Sequence, residues 1–409
     1  MKVIYEPDNN IPIKMWTSDV EKGALEQLNN LSNLPFAYKH IAVMPDCHTG
    51  YGMPIGGVLA TEGVVVPNAV GVDIGCGMCA VKTGLSVNML KTETLKKIMD
   101  KIREVIPVGF EHHKEKQDMR LMPSFGVEKH TNIEFYCRHL IIGKEYDSAL
   151  KQLGTLGSGN HFIEIQKDTE NNIWIMIHSG SRNLGYKVAK HYNEIAIELN
   201  KKWFSQVPKK WELAFLPIET QEAKDYMLEM QYCVDFALAN RKLMMERIIN
   251  IFHEIFDINN CPDENDAFVV EEIINIAHNY ARWENHCGKN VIIHRKGATS
   301  ARKDEVGIIP GSQGTKSYIV KGLGNIDSFM SCSHGAGRKM GRKEACKKLD
   351  LTEEIKKLDE QGIIHGLRNI DNLDESTGAY KDISEVMENQ RDLVEIIIEL
   401  SPLAVIKGD

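Results

Sequence analysis

Ile55-Gly56-Gly57-Val58-Leu59-Ala60-Thr61-Glu62-Gly63-Val64-Val65-Val66 lies inside a longer stretch, residues 40–85, that is rich in Gly, Val and Ile and carries few charges. Short apolar runs punctuated by glycine read as buried strands joined by tight turns. Just downstream the period changes. Leu95, Ile98, Met99, Ile102 and Ile106 recur at helical spacing, so 91–106 reads as an amphipathic helix packed on that sheet. Buried strands covered by such helices predict a mixed α/β fold, with central β-sheets flanked by helices.

Residues 1–40 read as strand, then helix. Ser18-Asp19-Val20-Glu21 has the form of a capping box, and the helix is expected to run to Asn33, before Pro35. Strands are expected near 161–166 and 173–178, and a helix around 186–202. From Glu219 to Phe256 there is neither Gly nor Pro, so this stretch predicts a helical spine broken at most once. Residues 267–285 look helical and 291–294 extended. Residues 295–325 form a Gly/Ser/Lys-rich loop region with a strand at 317–321, residues 335–349 a basic helix, and 403–408 a final strand. No internal repeat, low-complexity tract or linker interrupts the chain, which predicts one mixed α/β domain over 1–409 with its active site in a glycine-rich cleft.

Composition narrows the class. The chain has 409 residues, 43% hydrophobic and 26% charged, enough to bury a core and unlike a disordered, collagen-like or coiled-coil chain. No apolar run approaches the roughly 18 residues of a membrane span, and Met1 to Asp8 lacks the apolar region of a secretory signal. A net charge of −8 excludes a wholly basic nucleic-acid coat while leaving a local basic groove open. Nine scattered cysteines suggest reduced thiols and a cytoplasmic location. Cys76 and Cys79 make a lone C-x-x-C without a second pair, a weak zinc signal.

Five segments combine glycine with metal-capable or nucleophilic side chains: Pro45 to Gly50, Gly71 to Gly77, Gly157 to His161, His178 to Arg182, and Ser333 to Arg338. Glycine is retained where backbone must approach a ligand closely or take a positive φ. One such segment means little; five point to a polynuclear or phosphate-handling site. Asp73 and Cys76 lie three apart on a glycine turn. With His161 and His178 on adjacent strands and His278 on an expected helix, they supply hard and soft donors for two divalent ions if Cys76 bridges. Taken singly, each His is more often a hydrogen-bonded structural residue, and Cys76 a small buried hydrophobe.

Pro310-Gly311-Ser312-Gln313-Gly314-Thr315-Lys316-Ser317 offers small residues, hydroxyls and successive amides, an anion nest that is not a Walker A loop. Gly75 to Ala80 matches G-x-G-x-x-A, but it continues as strand rather than opening a helix, so the Rossmann reading is discarded. Basic residues gather at Arg295, Lys296, Arg302 and Lys303 and again from Arg338 to Lys348. Either group can form a local phosphate-binding groove or a solvated face. His112, His113, His130, His139, His191 and His253 need no function.

At these segments the chain resembles the RtcB family, GTP-dependent RNA ligases that join 3′-phosphate or 2′,3′-cyclic-phosphate ends to 5′-hydroxyl ends. The resemblance covers Asp46 to Lys407 and implies an RtcB-type fold, the shorter bacterial form, and a role in RNA repair or tRNA splicing. It implies that Asp73, Cys76 and His161 hold one manganese ion, and that Cys76, His178 and His278 hold the second. His334 would be the nucleophile that takes GMP through a phosphoramidate bond. Asn160, Glu164, Asn279, Pro310, Gly311, Ser312, Gln313, Ser317, Gly335, Ala336, Gly337 and Lys407 would surround the guanylate, with Tyr380 stacked on guanine. Arg182, Arg338 and Arg342 would hold RNA phosphates. Gln313 stands where the family usually has methionine, and Gly341 where serine is common. No membrane is implied and protein partners are open. Alternatives from other classes are a dimetal phosphoesterase or nuclease on the same scaffold and a non-catalytic RNA-binding relative.

Overall fold

The computed structural model describes residues 2–4, 10–124, 140–256 and 270–408. Its strands in chain order are β1 (Lys2–Ile4), β2 (Ile13–Met15), β3 (Ala37–His48), β4 (Ile55–Thr61), β5 (Val64–Val65), β6 (Gly77–Ser86), β7 (Gly159–Asp168), β8 (Asn172–Ser179), β9 (Leu216–Pro217), β10 (Ile274–Ala277), β11 (Asn279–His286), β12 (Lys289–Lys296), β13 (Ala298–Ser300), β14 (Val306–Ile309), β15 (Ser317–Gly322), β16 (Ser331–Ser333) and β17 (Val394–Gly408). The helices are α1 (Lys22–Ser32), α2 (Thr92–Val105), α3 (Ile141–Gln152), α4 (Arg182–Lys202), α5 (Gln221–Phe256), α6 (Arg342–Lys348), α7 (Leu351–Glu360) and α8 (Ile383–Glu388).

Two sheets carry the architecture. One has the order β1-β2-β3-β4-β12-β11, the other β10-β6-β8-β7-β17-β15-β14. Period-two patterning explains the second. Ile163 and Ile165 of β7 and Ile173, Ile175 and Ile177 of β8 enter one buried cluster, together with Leu95, Ile98, Met99 and Ile102 of α2 and Met244, Met245 and Ile248 of α5. Phe162, Trp174 and Met176 enter another cluster with Ile308, Ile319 and Leu400. A sheet buried on both sides needs cover on both sides. The amphipathic helix expected at 91–106 supplies part of it, and α5 runs unbroken for 36 residues, about 54 Å at 1.5 Å per residue.

Several expectations are corrected. Residues 274–277 and 279–286 are strands, not helix: β10 pairs with β6 and β11 with β12, so the sheet edges satisfy this backbone and tertiary pairing overrides composition; residues 267–269 of that expected helix lie outside the described residues. The basic helix shrinks to Arg342–Lys348. Residues 335–341 are loop because Gly337 takes φ +73°, and a Cβ there would meet the Asp46 carbonyl oxygen at 2.2 Å. The capping box does not form. α1 starts after Glu21, which makes no side-chain cap and instead accepts a hydrogen bond from the Thr49 amide.

Candidate active site

The donors come together from loops and strand ends. Asp73 and Cys76 sit on the glycine loop entering β6, where the Cys76 amide donates to the Asp73 carbonyl at 3.2 Å. β8 lies between β6 and β7, with His178 opposite both Met78 and Phe162, so the loop falls beside the two histidines. His278 lies in the bend between β10 and β11, where the chain passes from one sheet to the other, and its amide donates to the Cys76 carbonyl at 2.8 Å. Its placement on a helix is therefore corrected.

Cys76 Sγ is 3.2 Å from His178 Nε2 and 3.4 Å from His161 Nε2. His178 Nε2 is 3.4 Å from His278 Nε2, and His161 Nε2 is 3.1 Å from Asp73 Oδ2. His161 Nδ1 and His178 Nδ1 bond the carbonyls of Leu156 and Asn160 at 3.0 and 3.1 Å. Those bonds put the protons on Nδ1 and turn the Nε2 lone pairs toward the sulfur. His278 Nδ1 is buried without a partner among the described residues.

Burial pushes the Cys76 thiol well above its ordinary range, and the Asp73 charge adds to this. Burial likewise pushes His178 and His278 well below theirs, so both are neutral. Asp73 keeps 34% of its side chain open to solvent. Burial opposes its ionisation, but its contacts with His161 and Cys76 outweigh that and hold the carboxyl below its usual value. Cys76, His161 and His178 form a buried group that can bind a metal ion. Bonds of about 2.1 Å to nitrogen and 2.3 Å to sulfur leave neighbouring donors about 3.1 to 3.6 Å apart for angles between 90° and tetrahedral, so the set fits a borderline-soft divalent ion.

His334 follows β16, its ring centroid 4.8 Å from that of His278. Its Nδ1 lies 2.6 Å from Asp46 Oδ2, and its amide donates to the same oxygen at 3.0 Å. Asp46, at the end of β3, is fully buried, and its Oδ1 has no partner among the described residues. The carboxylate fixes the Nδ1–H tautomer, so the Nε2 lone pair is the reactive one.

A second cluster gathers on Glu375. Its carboxylate accepts from Arg338 at 3.1 Å and from the Tyr380 hydroxyl, with Arg342 and Lys407 each at 3.5 Å. Gln313 Nε2 donates to the Glu375 carbonyl at 3.2 Å. The Arg338 guanidinium lies 5.2 Å from the Tyr380 ring centroid, and the Lys407 ammonium 5.4 Å from that of Phe162. Gln166 Nε2 donates to Glu164 Oε2 at 2.5 Å and to Ser317 Oγ at 3.2 Å. Burial raises the Glu164 carboxyl to about 7. Ser312 Oγ lies 3.2 Å from Thr377 Oγ1, and Ser317 Oγ accepts from the Gly311 amide at 3.2 Å.

The five expected donors and His334 are thus contiguous. Glu164, Ser317, Tyr380, Arg338, Arg342 and Lys407 form the adjoining polar cluster. Asn279, Ala336 and Gly335 serve as struts. Asn279 donates to the Asp73 carbonyl at 3.0 Å and accepts from the Gly297 amide at 2.7 Å. Ala336 is core, and Gly335 passes beside the Pro310 carbonyl. Arg182 donates to Thr155 Oγ1 and the Gly109 carbonyl, both at 3.1 Å. The basic group at Arg295 and Lys296 is no groove. Arg295 is buried on Glu284, and Lys296 Nζ bonds the carbonyls of Tyr51 at 2.6 Å and Asn68 at 3.0 Å. Sequence reasoning missed Asp46 and Glu375 as site residues. Asp46 lay within a flagged segment, whereas Asp374-Glu375-Ser376-Thr377 carried no glycine or histidine signal.

A buried Cys/His donor group beside a carboxylate-held imidazole, on two sheets with covering helices, defines a metal-binding α/β protein with an enzyme's site. Comparison with known proteins places it further: the family described as tRNA-splicing ligase RtcB matches residues 27–408, and the chain belongs to that family. It is 39% identical over 407 residues to the RNA-splicing ligase RtcB of Escherichia coli K12, covering 98% of both chains. It is 34% identical to the tRNA-splicing ligase RtcB of Nanoarchaeum equitans, covering 98% of this chain and 96% of that one. With the Thermococcus kodakarensis tRNA-splicing ligase RtcB the identity is 31%, covering 99% and 96%. No helix among the described residues is long and apolar enough to cross a membrane.

Proposed function

We propose that this protein is an RNA ligase that uses GTP and two manganese ions to join RNA 3′-phosphate or 2′,3′-cyclic-phosphate ends to 5′-hydroxyl ends, the whole chain 1–409 acting as one cytoplasmic catalytic domain. The observation that carries this reading is His334. Its Nδ1 is tied to buried Asp46, and its ring packs against His278 of the donor cluster. The relatives' names, RNA-splicing and tRNA-splicing ligase, support the same reaction class.

In this reading Asp73, Cys76 and His161 hold one ion and Cys76, His178 and His278 the other. Bound manganese supplies screening of phosphate charge and stabilises charge on the attacked phosphorus. His334 Nε2 attacks the α-phosphorus of GTP and pyrophosphate leaves; the Nδ1–H bond to Asp46 steadies the positive charge that forms on the ring. GMP passes to the RNA 3′-phosphate, giving an activated anhydride. The 5′-hydroxyl then attacks and GMP departs. A cyclic phosphate is first opened by water. Glu164, Ser317, Tyr380 and Lys407 hold the guanylate, and Arg182, Arg338 and Arg342 hold RNA phosphates.

Incubation with labelled GTP and manganese tests the chemistry. An acid-labile, alkali-stable GMP adduct that is lost in His334→Ala is the expected result. Metal-loaded protein that cleaves RNA phosphodiesters yet forms no adduct would favour the phosphoesterase reading instead.

A further inference from the structure

Residues 107–117, between α2 and α3, are exposed at many positions yet firmly pinned. The Leu156 amide donates to the Pro107 carbonyl at 2.9 Å, the His113 amide to Lys151 at 3.0 Å and the Gln117 amide to Leu150 at 3.1 Å. Arg247 of α5 reaches across to Gln117 Oε1 at 2.5 Å. At the near end of this loop the Glu111 amide donates to the Val108 carbonyl at 3.1 Å, closing a tight turn. Gly109 takes φ +62° in that turn, and Phe110 stands at its tip, 90% exposed.

A single exposed Phe on a loose segment would signify nothing. This one is two contacts from the donor cluster. Gly109 donates to the Gly157 carbonyl at 2.8 Å and accepts from the Arg182 guanidinium at 3.1 Å. Gly157 in turn is wedged against Arg182 and His161: a Cβ there would meet the guanidinium at 2.1 Å and His161 Nδ1 at 2.6 Å. Exposed His112 and Lys114 follow on the same loop. A solvent-facing aromatic side chain on a pinned turn, next in sequence to a carbonyl that a guanidinium holds, suits an unpaired base whose phosphate is bound nearby.

We propose that Phe110 is a stacking platform for an unpaired base of the RNA strand whose terminal phosphate lies at Arg182 and the donor cluster. This rests on the RNA ligase reading above and adds a positioning residue to it. It implies a preference for ends that are single-stranded over the last few nucleotides, with little base specificity, because every base offers a π-face.

Steady-state ligation of an RNA pair with single-stranded ends, using the full-length protein, tests the proposal. Phe110→Ala is expected to raise the KM for RNA by about 5- to 160-fold, the span that base–aromatic stacking covers, while kcat moves far less. Phe110→Trp restores the KM, and its fluorescence is quenched by RNA. Phe204 is equally exposed, at 91%, but lies beyond the far end of α4, about 30 Å along that helix from Arg182. Phe204→Ala is expected to keep the native KM. An abasic residue at the RNA end should weaken binding to the native protein and have no further effect on Phe110→Ala. A native RNA KM in Phe110→Ala overturns the proposal alone. Native protein that ligates no RNA overturns the ligase reading and the proposal with it.

Discussion

Asp46 Oδ2 accepts two hydrogen bonds from one residue, the ring and the backbone amide of His334, and those partners are 288 positions apart. A carboxylate so placed holds the ring in one tautomer. Asp46→Asn keeps an acceptor of the same shape but removes the charge and permits the other tautomer. The rate of GMP-adduct formation is expected to fall by about 100-fold or more in single-turnover labelling; a loss under about tenfold would show that Asp46 only packs. Cys76 touches both His161 and His178 through sulfur. Cys76→Ser is expected to weaken both ions, read as metal content after dialysis, and retention of two tightly held ions would count against a shared ligand. Asp73, Cys76, His161 and His178 stood out in the sequence because the glycines beside them announce close backbone approach, whereas His278 has no glycine near it. Asp46 and Glu375 were not legible as site residues, because their roles are contacts made only when distant segments meet.

At the scale of elements, the long helix α5 works as a clamp for the site loops. Its Asn240 donates to the Thr155 carbonyl and Ser179 Oγ and accepts from the Gly154 amide. Its Arg241, fully buried, donates to the carbonyls of Gly75 at 3.0 Å, Ser179 at 2.7 Å and Ile276 at 3.1 Å, and to Asn275 Oδ1 at 2.8 Å. These bonds tie together the loop before β6, the end of β8 and strand β10, all of which carry metal donors or adjoin them. Arg241→Met removes the donor from four acceptors, two of them buried; a loss of about 3 kcal/mol in urea unfolding is expected, together with weaker metal binding. Strand β12 supplies a pH effect. His294 Nε2 accepts from the Val66 amide at 3.0 Å, which only a neutral ring can do, and burial lowers its pKa to about 4. The unfolded ring takes up a proton below about 6.5, while the folded one refuses it until about 4. Stability from this residue is therefore full above pH 6.5 and declines by roughly 3 kcal/mol as pH falls toward 4. His294→Gln should flatten that part of the pH dependence of the urea midpoint. The helix α5 was readable from its lack of Gly and Pro, and α2 from its period. β10 and β11 were misread because their composition suits helix, and only pairing with β6 and β12 decides for strand.

On the scale of the whole molecule, the site lies where the two sheets meet: β3 delivers Asp46 and β16 His334 from one side, β7 and β8 the histidines from the other, and His278 marks the crossing. Alternating buried strands predicted sheets with helical cover, but not which strands become neighbours, since β17 inserts between β7 and β15 from the far end of the sequence. The same assembly resolves the conflict between a net charge of −8 and an anionic substrate. Folding gathers Arg182, Arg338, Arg342 and Lys407 near the site together with the carboxyl groups of Asp46, Asp73, Glu164, Asp374 and Glu375, so anion binding there depends on a cation that can leave its carboxylate rather than on a net positive charge. Arg338 is largely buried in that pairing, whereas Arg342 keeps 53% of its side chain exposed with its carboxylate contacts at 3.5 and 3.6 Å. Arg342 can therefore exchange a carboxylate for a phosphate at low cost. If the three arginines each neutralise one phosphate of single-stranded RNA, the logarithm of affinity should fall against the logarithm of salt with a slope of about −2. Arg342→Gln is expected to make that slope shallower by about 0.7 without changing the dependence on RNA sequence, because the contact is to phosphate and not to a base. Fluorescence-anisotropy titrations between low and physiological salt measure it. A slope near zero in the native protein would mean that RNA is held by bases and metals alone and that the arginines serve the fold.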